Sequence, residues 1–190
     1  GTVICMPRFD ASDFLRVICE GCPVTACFEA TSTQKMSRKQ SDAAKLGAHN
    51  IRPTWFSATP SIHITMTAVA QAGEKPQHSL RFIRSGADKL AHELQCNMEE
   101  VFGVPVVSTY SMTEQMPISQ PPCKLALNSA SKMLVLSKPK SVGKPLISLA
   151  IVAKGESEPL SFGVEGEVCI SGANVFDGYR NNEKANEDGF

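Results

Sequence analysis

The stretch Val104-Pro105-Val106-Val107-Ser108-Thr109-Tyr110-Ser111-Met112-Thr113-Glu114 decides how this chain is read. Its first part is short, apolar and β-branched. Its second part packs hydroxyls, one aromatic ring and one carboxylate into a few residues. A buried strand reads this way when it ends at a ligand crevice, with polar groups projecting from a rigid carboxyl end. Ser111 and Thr113 carry hydroxyls that donate to phosphate oxygens, and Tyr110 offers a flat face to a base. Glu114 brings a hard oxygen ligand suited to magnesium. The competing reading is a strand end followed by an ordinary polar turn.

Upstream, the same alternation repeats. Asp10 or Ser12 caps a helix striped by Phe14, Leu15, Val17 and Ile18, with Gly21 as its stop. A strand at Val3 to Met6 precedes it. Trp55-Phe56 is a short strand, Ser57 to Pro60 its turn, and Ser61 to Ala70 a helix. Leu80 to Arg84 is the next strand, turning at Ser85-Gly86-Ala87. Lys89 to Phe102 places Leu90, Leu94 and Met98 at helical spacing, and Gly103 ends it. Repeated strand–helix units imply an α/β fold with a parallel sheet and flanking helices. Thr25 to Asn50 breaks this rhythm and reads as an insertion or loop.

Beyond Glu114 the texture changes. Gln115 to Pro139 holds Pro117, Pro121, Pro122 and Pro139 and reads as irregular. From Ser141 short strands and glycines suggest a few antiparallel strands of a β-barrel. The expected division is a βα-repeat subdomain over 1–120, a linker over 121–140 and a partial barrel over 141–190.

Composition narrows the function classes. Lys+Arg 19 balance Asp+Glu 19, which argues against nucleic acid as the main partner, since phosphate backbones require clustered positive charge. No apolar run approaches the ~18 to 20 residues of a membrane span. The seven cysteines are an odd number in a chain too long to need a disulfide framework, so a reducing, cytoplasmic compartment is expected. Cys19-x-x-Cys22 with Cys27 nearby lacks a second pair at finger spacing, so buried or incidental thiols are expected rather than a zinc site.

Several strings then agree in order: Trp55-Phe56-Ser57-Ala58-Thr59-Pro60, Arg84-Ser85-Gly86-Ala87, Tyr110-Ser111-Met112-Thr113-Glu114, Ser141-Val142-Gly143-Lys144-Pro145, and Gly166-Glu167-Val168-Cys169-Ile170-Ser171-Gly172 with Gly178-Tyr179. The set resembles the adenylate-forming superfamily, whose strings read Y-G-x-T-E, S-V-G-K-P and G-E-hydrophobic-x-hydrophobic-x-G followed by G-Y. Phe9 to Leu15 and Pro60-Ser61-Ile62-His63 make it most similar to the oxalate-CoA ligase and coumarate-CoA-ligase-like group. The resemblance covers about residues 1–22, 52–120 and 140–190.

That resemblance implies an AMP-forming acyl-CoA ligase using ATP, magnesium and coenzyme A. A carboxylate attacks the α-phosphate of ATP, pyrophosphate leaves, and the thiol of coenzyme A then displaces AMP. It implies that Ser85, Gly86 and Ala87 line the adenine pocket with backbone. Tyr110 would stack on adenine within a cofactor-binding run of Thr109, Tyr110, Ser111, Met112 and Thr113. Thr113 would bond the α-phosphate and Glu114 would help position magnesium. Ser111 replaces the commoner Gly or Ala at the acyl pocket, which favours a small or polar acid such as oxalate. His63 is a further candidate for that pocket; its competing reading is a partly exposed histidine on a first helical turn.

The resemblance also implies parts outside these residues: a Thr/Ser/Gly-rich phosphate loop, a T-G-D segment whose Asp holds the ribose, and a C-terminal lid with a lysine. The chain is therefore expected to be an internal piece, inactive alone. The alternatives are a truncated or splice remnant that at most binds nucleotide weakly, and an unrelated nucleotide-binding α/β domain. A peroxisomal address would lie at a C-terminus not among these residues.

Overall fold

The computed structural model describes residues 8–23, 50–121 and 140–190. The expected strand at Val3 to Met6, the insertion from Thr25, Cys27, and most of the expected linker lie outside them. The chain divides into two units, Gly1–Val106 and Val107–Phe190.

In the first unit, helix α1 (Ala11–Glu20) starts where Asp10 accepts a hydrogen bond from the Asp13 N–H at 2.9 Å. This cap satisfies one of the donors that a helix start leaves open. Gly21 closes the helix, its N–H donating to the Val17 carbonyl. A two-residue pair, β1 (Cys22–Pro23) with β2 (Asn50–Ile51), is antiparallel. Strand β3 (Trp55–Ala58) runs into helix α2 (Pro60–Gln71), whose proline occupies the first turn, where a missing N–H costs nothing. Strand β4 (Phe82–Ser85) is followed by helix α3 (His92–Phe102), which stops at Gly103 in the left-handed region. The expected start at Lys89 shifts to His92, because Ala91 at the N-cap is extended, with φ −64 and ψ 137.

Strand β5 (Val106–Ser108) completes a sheet in the order β3-β4-β5. β3 and β4 are parallel, with Phe56 opposite Ile83 and Ala58 opposite Ser85. Ile18, Met66, Ile83, Met98 and Val106 are fully enclosed in the core between the sheet and helices, with Phe56 and Phe102 beside them. Each such side chain contributes about 1.5–3 kcal/mol of burial.

The second unit begins with a hairpin. Strand β6 (Tyr110–Met112) pairs antiparallel with β7 (Gln115–Gln120), Met112 facing Gln115 across a two-residue turn. Gln115–Gln120 is thus a strand, where the prolines suggested irregular chain. The register shifts between Tyr110 and Met112, and Pro117 falls at that irregularity. Neither ladder of β7 requires an N–H from Pro117, so the strand tolerates it. Strand β8 (Lys144–Pro145) pairs with the other edge of β7, Lys144 opposite Gln120.

Gly143, just before β8, has φ +89, and a Cβ on it would lie 2.1 Å from the Gln120 carbonyl. That close approach explains the glycine of the Ser141–Pro145 string. Strands β9 (Ser148–Val152) and β10 (Glu167–Ser171) form a separate antiparallel pair. Gly166 leads into β10, and a Cβ there would meet the Val152 carbonyl oxygen at 2.3 Å. Helix α4 (Glu183–Gly189) ends the chain, capped by Asn182. Among the described residues, no helix is long and apolar enough to cross a membrane.

Candidate functional site

The first unit gathers the ends of β3 and β4. The Gly86 N–H donates to the Ala58 carbonyl at 3.2 Å, tying one strand end to the other. The ends of β3 and β4 therefore meet at Ala58, Ser85 and Gly86. Ser85 is buried, Gly86 half-buried and Ala87 exposed. Ala87 has φ +68, a left-handed conformation that strains a residue with a Cβ. Such strain concentrates at sites where function dictates the backbone path.

His63 adjoins this region from α2. It is 0% exposed, so the partly exposed surface histidine is not what the structure holds. Its ring tilts against Phe56 at 5.8 Å between centroids. Helical periodicity put it on the inner face with Met66 and Thr67, which a polar residue type conceals in the sequence. Burial pushes its pKa below the ordinary value of 6.5, against a smaller opposing pull from the backbone of Arg84 and then Ala58. Among the described residues, neither ring nitrogen completes a hydrogen bond. A buried imidazole without partners is a polar group kept for something else or a cost to stability.

The second unit holds the hairpin residues. Thr109 is buried; Tyr110, Ser111 and Met112 on β6 are half-buried; Thr113 and Glu114 form the turn, with Thr113 exposed. The polar cluster is thus carried by an antiparallel hairpin rather than by the bare end of a parallel strand. A two-residue turn fixes the Thr113 and Glu114 backbone tightly between paired strands.

Glu114 is held from a distant part of the chain. The Tyr179 hydroxyl donates to its carboxylate at 2.5 Å, and the Phe176 N–H donates to its backbone carbonyl at 3.3 Å. The Tyr179 hydrogen bond holds the carboxyl below its ordinary value, with help from the Glu114 backbone and against a smaller effect of burial. The same bond, then burial and the carboxylate charge, push the phenol up. Glu114 is therefore ionised at neutral pH with one oxygen engaged, which suits it to a hard divalent cation. Tyr179 was legible in sequence as part of Gly178-Tyr179, but nothing there connects it to Glu114.

The described residues, those around Glu114 included, contain no group of three or more His, Cys, Asp or Glu that could hold a metal ion. Among the described residues, Cys19, Cys96 and Cys169 are in no disulfide.

A family model described as "AMP-binding enzyme" matches residues 3–180. The chain belongs to that family. It is 38% identical over 138 residues to an oxalate–CoA ligase of Arabidopsis thaliana, a match spanning 72% of this chain and 26% of that protein. It is 35% identical over 140 residues to an oxalate–CoA ligase of Saccharomyces cerevisiae, spanning 72% of this chain and 23% of the yeast protein. Among solved structures, o-succinylbenzoate coenzyme A synthetase of Bacillus subtilis, in complex with ATP and a magnesium ion, superposes with a TM-score of 0.60. That match is at 24% identity, over 96% of this chain and 30% of the other. The fold is that of adenylate-forming enzymes. The chain spans about a quarter of the length of the curated relatives it matches.

Proposed function

We propose that this AMP-binding chain serves an acyl-CoA ligase that activates a small or polar carboxylic acid, oxalate foremost, with ATP and then transfers it to coenzyme A. The observation that carries the reading is the Glu114 carboxylate on the Thr113–Glu114 turn, held by the Tyr179 hydroxyl. The two relatives named as oxalate–CoA ligases support the choice of acid.

The first half-reaction brings two anions together. A carboxylate oxygen bonds to the α-phosphorus of ATP, and the bond to pyrophosphate breaks. Positioning and neutralisation are what a protein supplies to such a step. Thr113, exposed on its turn, donates its hydroxyl to an α-phosphate oxygen. Tyr110 stacks on the adenine, and the backbone of Ser85, Gly86 and Ala87 passes against the base. Thr109, Ser111 and Met112 complete the run on the nucleotide side, and Ser111 borders the acid. His63 offers a neutral ring N–H to the acid. Glu114 helps hold magnesium, which when bound offsets phosphate charge.

The antiparallel strands from residue 141 onward are read as part of a barrel subdomain, residues 1–120 as the βα-repeat subdomain and 121–140 as the linker between them. The odd number of cysteines, seven, supports a reducing compartment, and we place the protein in the cytoplasm. The isolated 190 residues are proposed to be inactive, because they span about a quarter of their relatives.

The test is acid-dependent exchange of pyrophosphate into ATP by the protein expressed from its complete reading frame. Oxalate, longer dicarboxylic, aromatic and fatty acids would be offered in parallel. Exchange strongest with oxalate is expected. Exchange strongest with a fatty or aromatic acid would remove the substrate reading, and none with any acid would leave only nucleotide binding.

A further inference from the structure

Glu114 and Tyr179 lie 65 residues apart in sequence, and their hydrogen bond joins the hairpin turn to the loop before α4. A glutamate on a turn ordinarily samples many rotamers, which a cation must freeze on binding. Here one carboxylate oxygen is already engaged. The donor is itself constrained. The Tyr179 ring meets Phe176 edge-on at 5.0 Å and lies 6.4 Å from Phe190. Its backbone is gripped by one amide side chain: the Tyr179 N–H donates to Asn186 Oδ1 at 2.6 Å, and Asn186 Nδ2 donates to the Tyr179 carbonyl at 3.0 Å. Asn186 rides on α4, whose first turn Asn182 caps. The Phe176 N–H adds a second tie, to the Glu114 carbonyl.

We propose that Tyr179, held by Asn186, is a positioning residue: it fixes one oxygen of the Glu114 carboxylate and leaves the other for a divalent cation. This rests on the reading of Glu114 as the residue that helps hold magnesium. Donors behind a ligating carboxylate orient it and raise metal affinity, and their loss typically weakens binding by about ten- to a hundredfold. Phenylalanine would keep the aromatic packing and remove only the donor.

The test uses manganese as the probe, titrated by electron paramagnetic resonance into the ATP complex of the protein from its complete reading frame. Glu114→Gln, Tyr179→Phe, Asn186→Ala and the Glu114→Gln/Tyr179→Phe double variant would be compared with the parent. Tyr179→Phe is expected to weaken manganese binding about tenfold. Asn186→Ala should weaken it in the same direction by less. The double variant should bind no more weakly than Glu114→Gln alone, since Tyr179 acts through Glu114. The magnesium concentration for half-maximal pyrophosphate exchange should rise with Tyr179→Phe while the KM for the acid stays unchanged. If Glu114→Gln weakens manganese and Tyr179→Phe does not, the positioning role is wrong while the reading of Glu114 survives. If Glu114→Gln itself binds manganese normally, that reading fails and takes this one with it. Losses that add in the double variant would also overturn the role. Should Tyr179→Phe melt below the assay temperature by circular dichroism, Asn186→Ala decides by the same titration.

Discussion

Gly143 passes so close over Gln120 that a Cβ would stand 2.1 Å from both the carbonyl carbon and the oxygen of that residue. The obstacle is backbone inside a paired strand, so it cannot swing aside. Left-handed φ adds strain of its own. Gly143→Ala is expected to cost about 3 kcal/mol, overpacking and backbone strain together. Gly73, at the loop after α2 with nothing within 4 Å of its Cβ position, is the control: Gly73→Ala should change little. Denaturant midpoints followed by circular dichroism would compare the two. Equal midpoints would mean that the Gly143 loop can move off β7.

His78 reports on the first unit through pH. Its Nδ1 accepts the Leu80 N–H at 3.2 Å, so Nε2 carries the proton and donates to the Phe102 carbonyl at 3.0 Å. Both contacts fit the neutral ring, and protonation of Nδ1 would break the first. Burial lowers its pKa chiefly, offset in part by the bond to Phe102. His63 is lowered too, by burial. A lowered folded-state pKa means the unfolded chain takes up the proton first. Stability is then fully present above the ordinary value of 6.5 and falls as pH drops below it toward the folded-state values. Thermal midpoints should decline below pH 6.5, less steeply in His78→Gln, whose amide keeps one acceptor and one donor. An identical slope in that variant would assign the decline to other groups.

Thr113 and Glu114 should separate chemistry from binding. A hydrogen bond to a charged oxygen is worth about 1.5–3 kcal/mol. Thr113→Ala is therefore expected to slow acid-dependent pyrophosphate exchange about ten- to a hundredfold at saturating acid, with the acid KM nearly unchanged. Steady-state exchange in the complete protein measures both. A KM effect with unaltered maximal rate would move Thr113 from the phosphate to the acid.

The sequence made some of this legible because the signals were local. Asp10, Gly21 and Gly103 mark helix ends through their own side chains or lack of one, and all three act as read. The alternation of strand and helix up to Val107 needs only short-range periodicity. β7 was hidden because Pro117 speaks against a strand, and only the pairing partner reveals that no N–H is missed. The tie between Tyr179 and Glu114 is invisible for the opposite reason: each residue type is unremarkable where it stands, and the fold alone brings them together. His63 shows the same limit, since a histidine at helical spacing does not reveal its depth until Phe56 is seen against it.

That depth sets a trade between folding and function. An enclosed imidazole that completes no hydrogen bond among the described residues, with only the weaker pull of the Arg84 and Ala58 backbone on it, lowers stability relative to an apolar side chain of similar size. His63→Leu should thus leave the thermal midpoint unchanged or raise it, by an amount on the order of 1 kcal/mol. If the ring N–H serves the acid, the same variant should raise the KM for oxalate about tenfold in the complete protein, the loss expected for one hydrogen bond to a charged group. A residue kept only for packing predicts the reverse pair, a lowered midpoint and an unaltered KM. Measuring both quantities on one preparation distinguishes a substrate-facing histidine from a buried core one.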